Sequence, residues 1–454
     1  MAAIITQNFR LDTTQKFVSG LGNTTYYLGL GRPNPWADDT IPPIPNENEY
    51  TTNNAWENMY ALKKLEADDA ISACPRHLWV SGNNYKSYDD RTLDPEAGIP
   101  YYVITNNNHV YLCLRNGPGN SVKSPDDTGA VSGIINYEVN DGYIWKYLYS
   151  VSTSNGSKFL TESFIPVLKL ESNPGAGAET ALQTQWSIQE NAVNGAIYNV
   201  VIENGGSGFT TIPTLTVEGN GTGCEVECTI DVAGSIDTVR VKTNFAGQDY
   251  GHATIVISGG GGSGAVIRAI IGPDNGFGAD PRVDLRAHYA CLNKKFSGTE
   301  SGAIVAADDF RQILLVKEPI DQSTDVVALA SMYNTTHTMI TDPGPTYTGA
   351  YSADDIIKGS NSGALGRVVE EKVYDSTANT WLIRYLQNED TGYTPFENSE
   401  VVRAEAAASG GQDIDSVSLP EVKHGSGSMV FIENREPVNR GPDQIETIRL
   451  VIEF

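Results

Sequence analysis

The stretch 429–454, MVFIENREPVNRGPDQIETIRLVIEF, holds two apolar runs, 429–432 and 445–454, on either side of a polar loop marked by Pro437 and Gly441-Pro442. In the second run Ile448, Leu450, Ile452 and Phe454 fall on one side, and Thr447, Arg449, Val451 and Glu453 on the other. Successive side chains of a strand point to opposite faces, so this period of two predicts a half-buried β-strand. A chain that stops on a core-facing Phe, with no polar tail behind it, is expected to have its C-terminus locked into a sheet. Ile448, Leu450, Ile452 and Phe454 are therefore the expected seam that closes a core.

Working outward, the 454 residues predict two to four domains. The 45 glycines and 22 tyrosines, with Thr, Asn and Val also plentiful, predict short strands joined by turns rather than long helices. The formal charge is −25, from 31 basic against 56 acidic residues. Such a surface repels phosphate backbones, so no nucleic-acid partner is expected. The acidity either keeps a concentrated protein soluble or offers a face to a basic partner. Five cysteines, Cys74, Cys113, Cys224, Cys228 and Cys291, lack metal-type spacing. On one strand, Cys224 and Cys228 would lie about 13 Å apart, too far for a disulfide. The sequence has no signal-peptide pattern and no window approaching a membrane span, so no membrane partner is expected.

Residues 1–175 read as the first part of a host β domain carrying one helix, capped within 51–54 and continued by Trp56, Met59, Tyr60 and Lys63. Loops rich in Asn, Asp, Gly and Pro are expected at 32–45, 83–100 and 115–130. Residues 176–279 read as an insertion built from two weak repeats, 197–230 and 236–271. Each runs strand, Gly-rich turn with Phe209 or Tyr250, strand, Gly-rich turn, strand. Two copies are too few for a solenoid, so a compact pair of small modules is expected. The host domain resumes over 280–345, a second inserted β-module spans 346–411 with a linker at 404–411, and 412–454 supplies the closing strands. The fold class that follows is mainly β. It has an antiparallel β-sandwich host domain closed by both termini, one or two short helices, and inserted Gly-rich β-modules.

The sequence offers no catalytic, cofactor-binding or metal-binding residues. The run 259–264, GGGGSG, fits Gly-x-Gly-x-x-Gly, but it joins two strands where a dinucleotide fold needs a helix. The histidines do not pair at metal-ligand spacing, and no Gly-x-Ser-x-Gly elbow occurs. Adjacent acids, as at Asp38-Asp39, Asp89-Asp90, Asp126-Asp127 and Asp308-Asp309, are expected to be solvated loop residues. The strand at 143–149 would put Tyr143, Trp145, Tyr147 and Tyr149 on one face, either as core or as an aromatic partner surface. Arg32 and Trp36 bracket a Pro-rich turn that is either a rigid cap or an interface loop.

Five collinear pieces carry a resemblance: 3–10 (AIITQNFR), 26–36 (YYLGLGRPNPW), 141–151 (DGYIWKYLYSV), 310–319 (FRQILLVKEP) and the C-terminal stretch. Together they resemble the baseplate wedge subunit family, gene product eight, of T-even-type contractile-tailed bacteriophages. The resemblance covers 1–170, 281–322 and 425–454. It implies a non-enzymatic structural subunit of the virion tail baseplate, assembled in the host cytoplasm. It also implies a homodimer that packs with other wedge subunits and holds them through sheath contraction. Arg435, in the Glu-Asn-Arg-x-Pro pattern, joins Arg32, Trp36, Tyr143, Trp145 and Tyr147 as a candidate contact residue. The alternative reading, from the Gly-rich modules and the aromatic residues, is a tail adhesin that binds host-surface glycans.

Overall fold

The computed structural model describes residues 3–92, 98–127, 133–136, 141–305, 308–343, 349, 351–407, 410–441 and 443–454. Parts of the loops at 83–100 and 115–130, part of the linker 404–411, the start of the module at 346 and Pro442 lie outside the described residues. The chain is mainly β, in several antiparallel sheets. It divides into two compact units, Met1–Val18 with Ile71–Leu292 and Leu450–Phe454, and Ser19–Ala70 with Asn293–Arg449. The expectation was one host domain closed by both termini. The two ends do meet in the first unit, but much of the expected host sequence belongs to the second.

In the first unit a four-stranded sheet has the order Tyr102–Ile104, His109–Arg115, Ile144–Ser150, Ile134–Asn136. Its central ladder pairs Val110 with Tyr149 and Tyr111 with Tyr147, so Leu148 is an extra residue. This bulge turns the rest of the strand over. Tyr143, Trp145 and Tyr147 pack on one side with Tyr85, Tyr111 and Ile188. Tyr149 goes to the other side with Cys74, Tyr102, Leu112 and Phe277. The regular alternation that put Tyr149 with the other three aromatics is thus corrected by one inserted residue.

A second sheet has the order Ile445–Glu453, Tyr289–Ser297, Ala70–Pro75, Phe164–Val167. The helix Gln7–Gly20 is fastened to the end of the chain: Phe17 and Phe454 have ring centroids 5.3 Å apart, and Thr14 Oγ1 donates to His288 O at 3.0 Å. Phe454 N also donates to His288 O, at 3.2 Å. Only Leu11 and Thr14 of the helix are buried, so its sequence carries no wide apolar stripe from which a helix could be read.

The two Gly-rich repeats complete each other. Asn199–Ser207 pairs with Ser263–Ile270, Thr214–Gly219 with Ala253–Ser258, and Thr222–Ile230 with Ile236–Gln248. The first strand of one copy therefore meets the third of the other, and the middle strands meet each other. Phe209 lies on Gly262 of the second copy, where a Cβ would be 2.5 Å from its Cγ. Tyr250 lies on Gly221 of the first, where a Cβ would be 2.4 Å away. Both rings are buried, and glycine is required opposite each because only a bare backbone leaves the room.

In the second unit a five-stranded sheet has the order Met332–Asn334, Met59–Lys64, Tyr26–Gly31, Phe310–Lys317, Ser428–Val438. The helix Glu49–Glu57 starts earlier than expected, with Asn48 Oδ1 accepting from Thr51 N at 2.8 Å. It also stops before Met59, and Met59, Tyr60 and Lys63 belong to a strand. Their spacing fits a helical face, but Met59–Lys64 is held between two neighbouring strands, and tertiary pairing overrides the local period. The remaining strands close a barrel: His337–Asp342, Thr380–Leu386, Leu365–Asp375, Ile356–Gly359, Val401–Ala404 and Gln412–Ser418. Its core holds Met339, Ile357, Val368, Ile383, Tyr385 and Ile414. Its first strand starts before 346 and its last ends after 411, so the barrel is larger than the segment read as the second module.

Candidate partner interface

Three of the six candidate contact residues converge in the second unit. Asn58 O accepts from Arg32 N at 2.8 Å, and Arg32 turns the chain with a φ of 54°. The Arg32 guanidinium then lies 3.8 Å from the centre of the Trp36 ring, a cation–π pair. Burial lowers the Arg32 pKa, with Asp390 acting in the opposite sense. Trp36 Nε1 donates to Arg435 O at 3.1 Å, which joins the turn to the edge strand Ser428–Val438. Beneath the turn, Arg311 holds Asp39 through two bonds of 2.9 Å and also donates to Pro33 O. The bonds from Arg311 keep the Asp39 carboxyl below its usual range. Arg32, Trp36 and Arg435 all remain partly exposed.

The surroundings extend this surface. Asn434 Nδ2 donates to Pro43 O at 2.8 Å, so the Pro-rich loop lies along the same edge strand. Ile41, Ile44 and Val430 are 74%, 87% and 48% exposed. Beside them a groove of about 630 Å³ runs between residues 45–53 and 429–432. The edge strand is bulged, since Val316 pairs with Met429 and Leu315 with Phe431, leaving Val430 extra. Bulges of this kind at a sheet edge limit strand-to-strand aggregation.

Tyr143, Trp145 and Tyr147 are placed otherwise. All three are fully buried in the first unit. Tyr143 and Trp145 stack at 5.6 Å, and Tyr143 Oη donates to Gly119 O at 3.0 Å. A partner has no free surface to reach on any of them, and they serve as core. On the C-terminal strand, Ile448 and Leu450 are buried at 6% and 4% exposure, whereas Ile452 and Phe454 are half-buried.

Several acids read as solvated are engaged instead. Arg268 is bonded to Asp89 and Asp90 at 2.7 Å each and to Glu203 at 3.0 Å. Asp126 accepts from Tyr111 Oη at 2.9 Å and lies 2.8 Å from His109 Nδ1. Asp308 is buried, and burial pushes its pKa up to about 7, against the Asp309 N–H that stabilises its charge. The partners of Asp89, Asp90 and Asp126 come from other segments, so adjacency in sequence carried no signal of them. Among the described residues no group of three or more His, Cys, Asp or Glu side chains is placed to hold a metal ion. All five cysteines are buried, and none forms a disulfide.

The fold and this surface define a mainly-β protein that exposes a clustered Arg and Trp platform, the composition typical of protein-binding surfaces. No family model matches the sequence. The chain is similar to the baseplate wedge protein gp8 of Enterobacteria phage T4, with 22% identity over 230 residues. The match covers 42% of this chain and 66% of that protein, so the chain spans just under two thirds of its relative's length.

Proposed function

We propose that the chain is a non-catalytic structural subunit of a phage tail baseplate wedge. The similarity to a baseplate wedge protein over 230 residues is the observation that carries this reading. In it the subunit forms a homodimer, packs with other wedge proteins in the virion tail, and holds them together through sheath contraction. The partly exposed Arg32–Trp36–Arg435 platform and the apolar loop beside it are the proposed contact surface. The Gly-rich repeats and the barrel are proposed as additions that lie away from the dimer contact.

The test is reconstitution of the purified chain with the neighbouring wedge proteins, followed by light scattering and cross-linking mass spectrometry. The expected result is a dimer that enters a larger complex, with cross-links near 32–45 and 428–436. A chain that stays monomeric at micromolar concentration with its partners present would remove the assembly role.

A further inference from the structure

A second surface, in the first unit, has a different chemistry. In the ladder between Thr222–Ile230 and Ile236–Gln248, Cys224 pairs with Ala246 and Val226 with Val241. Residue 225 alone therefore faces four residues, 242–245, which bulge out of the ribbon. Asn244 takes a φ of 66° at the tip. The bulge overhangs a cleft of about 730 Å³ whose opposite wall carries Arg115 and Ile144 of the aromatic sheet. Bulges re-aim side chains, and they are common beside binding sites.

Most of the uncharged polar side chains of the lining have no hydrogen-bond partner among the described residues. Tyr198, Asn199, Thr222, Thr243, Asn244 and Gln248 line the cleft, and the Asn199 amide nitrogen and the other five side chains make no hydrogen bond among the described residues. Asn199 is only 8% exposed, and its Oδ1 accepts from Val200 N, so its NH₂ group is the part left to serve the cleft. Among the described residues no Asp or Glu lines this space, although the chain carries a net charge of −25. Charge is nevertheless not the recognition element: Lys242 is paired with Glu225 at 2.9 Å, and Arg115 is engaged within the chain.

We propose that this cleft binds an oligosaccharide. Sugar hydroxyls both donate and accept, and amide and hydroxyl side chains offer both functions side by side. Tyr198, whose ring rests against Phe277 at 6.0 Å, adds an apolar face of the kind that packs on a sugar ring. An open cleft of this volume accommodates a few sugar units. At two points of the rim the backbone is already paired, Ala246 O with Ile197 N and Asn194 O with Asp249 N, which shortens the edge that an extended peptide could use. This inference does not rest on the baseplate reading.

The test uses the full chain on an array of bacterial O-antigen and capsular oligosaccharides, followed by titration of the best ligand. A Thr243→Ala/Asn244→Gly variant removes two exposed groups and places glycine at a φ it adopts readily. The expected result is saturable binding that the variant weakens at least tenfold, with an unchanged circular dichroism spectrum. No bound oligosaccharide at millimolar concentration, binding that the variant leaves intact, or capture of peptides from a displayed library in place of glycans would overturn the assignment.

Discussion

Trp36 shows how one side chain can be both structural and presented. Its indole N–H secures the turn to the edge strand while its ring carries Arg32. At the centre of a contact such a residue costs about 2 kcal/mol or more on truncation, roughly thirtyfold in affinity. Trp36→Ala is therefore expected to weaken the proposed dimer by that factor in sedimentation velocity, and an unchanged dissociation constant would exclude the loop from the contact. Glycine acts by absence. Gly221→Ala drives a methyl group into Tyr250 and is expected to cost about 1–3 kcal/mol in urea unfolding. Gly177→Ala, with nothing within 4 Å of its Cβ, is the neutral control. Titration works in two directions. Burial raises Asp284 from 3.8 to about 7, against the Gly278 N–H and the charge of Lys146. Between those values the folded chain holds a proton that the unfolded chain has released, so this contribution to stability falls as pH rises through about 7. His337 is lowered from 6.5 to about 4, by burial first and by His424 second. There the unfolded chain takes up the proton first, so stability falls as pH drops below about 6.5. Between about pH 4 and 6.5 these two slopes oppose each other, and from about 6.5 to 7 only the Asp284 loss remains. Across pH 4–6.5 the melting temperature is therefore expected to rise with pH more steeply in Asp284→Asn than in the parent chain, and to fall with pH in His337→Gln; unchanged slopes would discount these two groups.

At the scale of elements, the closing strand and the N-terminal helix form one device. The alternation in 445–454 was legible because burial on one face imposes a period of two. What the strand supports was not legible, since a helix with only two buried residues leaves almost no pattern. Ending the chain after Val451 removes the Phe454 ring from Phe17 and the Phe454 bond to His288. The lost burial of two partly exposed side chains is about 1–3 kcal/mol. Hydrogen exchange should then show the helix Gln7–Gly20 unprotected, and a protection pattern identical to that of the full chain would sink the link. The same contrast holds for 49–64. The aromatic and apolar spacing there suits a helix, but the sheet claims the second half, because Tyr27–Lys64 and Lys63–Met332 pairings bracket it.

At the scale of the molecule, the Gly-rich repeats are tied to their surroundings more closely than a hung module. Ile270, Phe277 and the partly buried Tyr198 and Val201 share one core with Leu112 and Tyr149. Arg268 ties the ribbon to Asp89 and Asp90. Deleting 176–279 is accordingly expected to abolish folding, because it empties that core. A milder cut removes 203–266 and joins Ile202 to Ile267 by a tight turn, since these two residues are paired in the ladder. The shortened chain is expected to remain soluble and to form the proposed dimer in light scattering. Loss of the dimer would place the contact in the Gly-rich repeats. The two-repeat organisation was visible in the sequence from recurring Gly-rich turns around Phe209 and Tyr250. The mutual pairing of the copies was not visible, because strand partners are chosen by three-dimensional closure and not by order along the chain.

Composition and local periodicity were enough to reveal the mainly-β class, the alternating final strand, the Gly-rich repeats and the acidic charge. Each of these rests on composition or on a short period that neighbouring residues express. Which aromatics are core and which stay at the surface followed from three-dimensional packing. A single bulge at Leu148 reversed Tyr149, and burial removed Tyr143, Trp145 and Tyr147 from any contact role. The meeting of Arg32 and Trp36 with Arg435 was decided at the same level, because that cation–π and hydrogen-bonded platform joins residues almost four hundred positions apart.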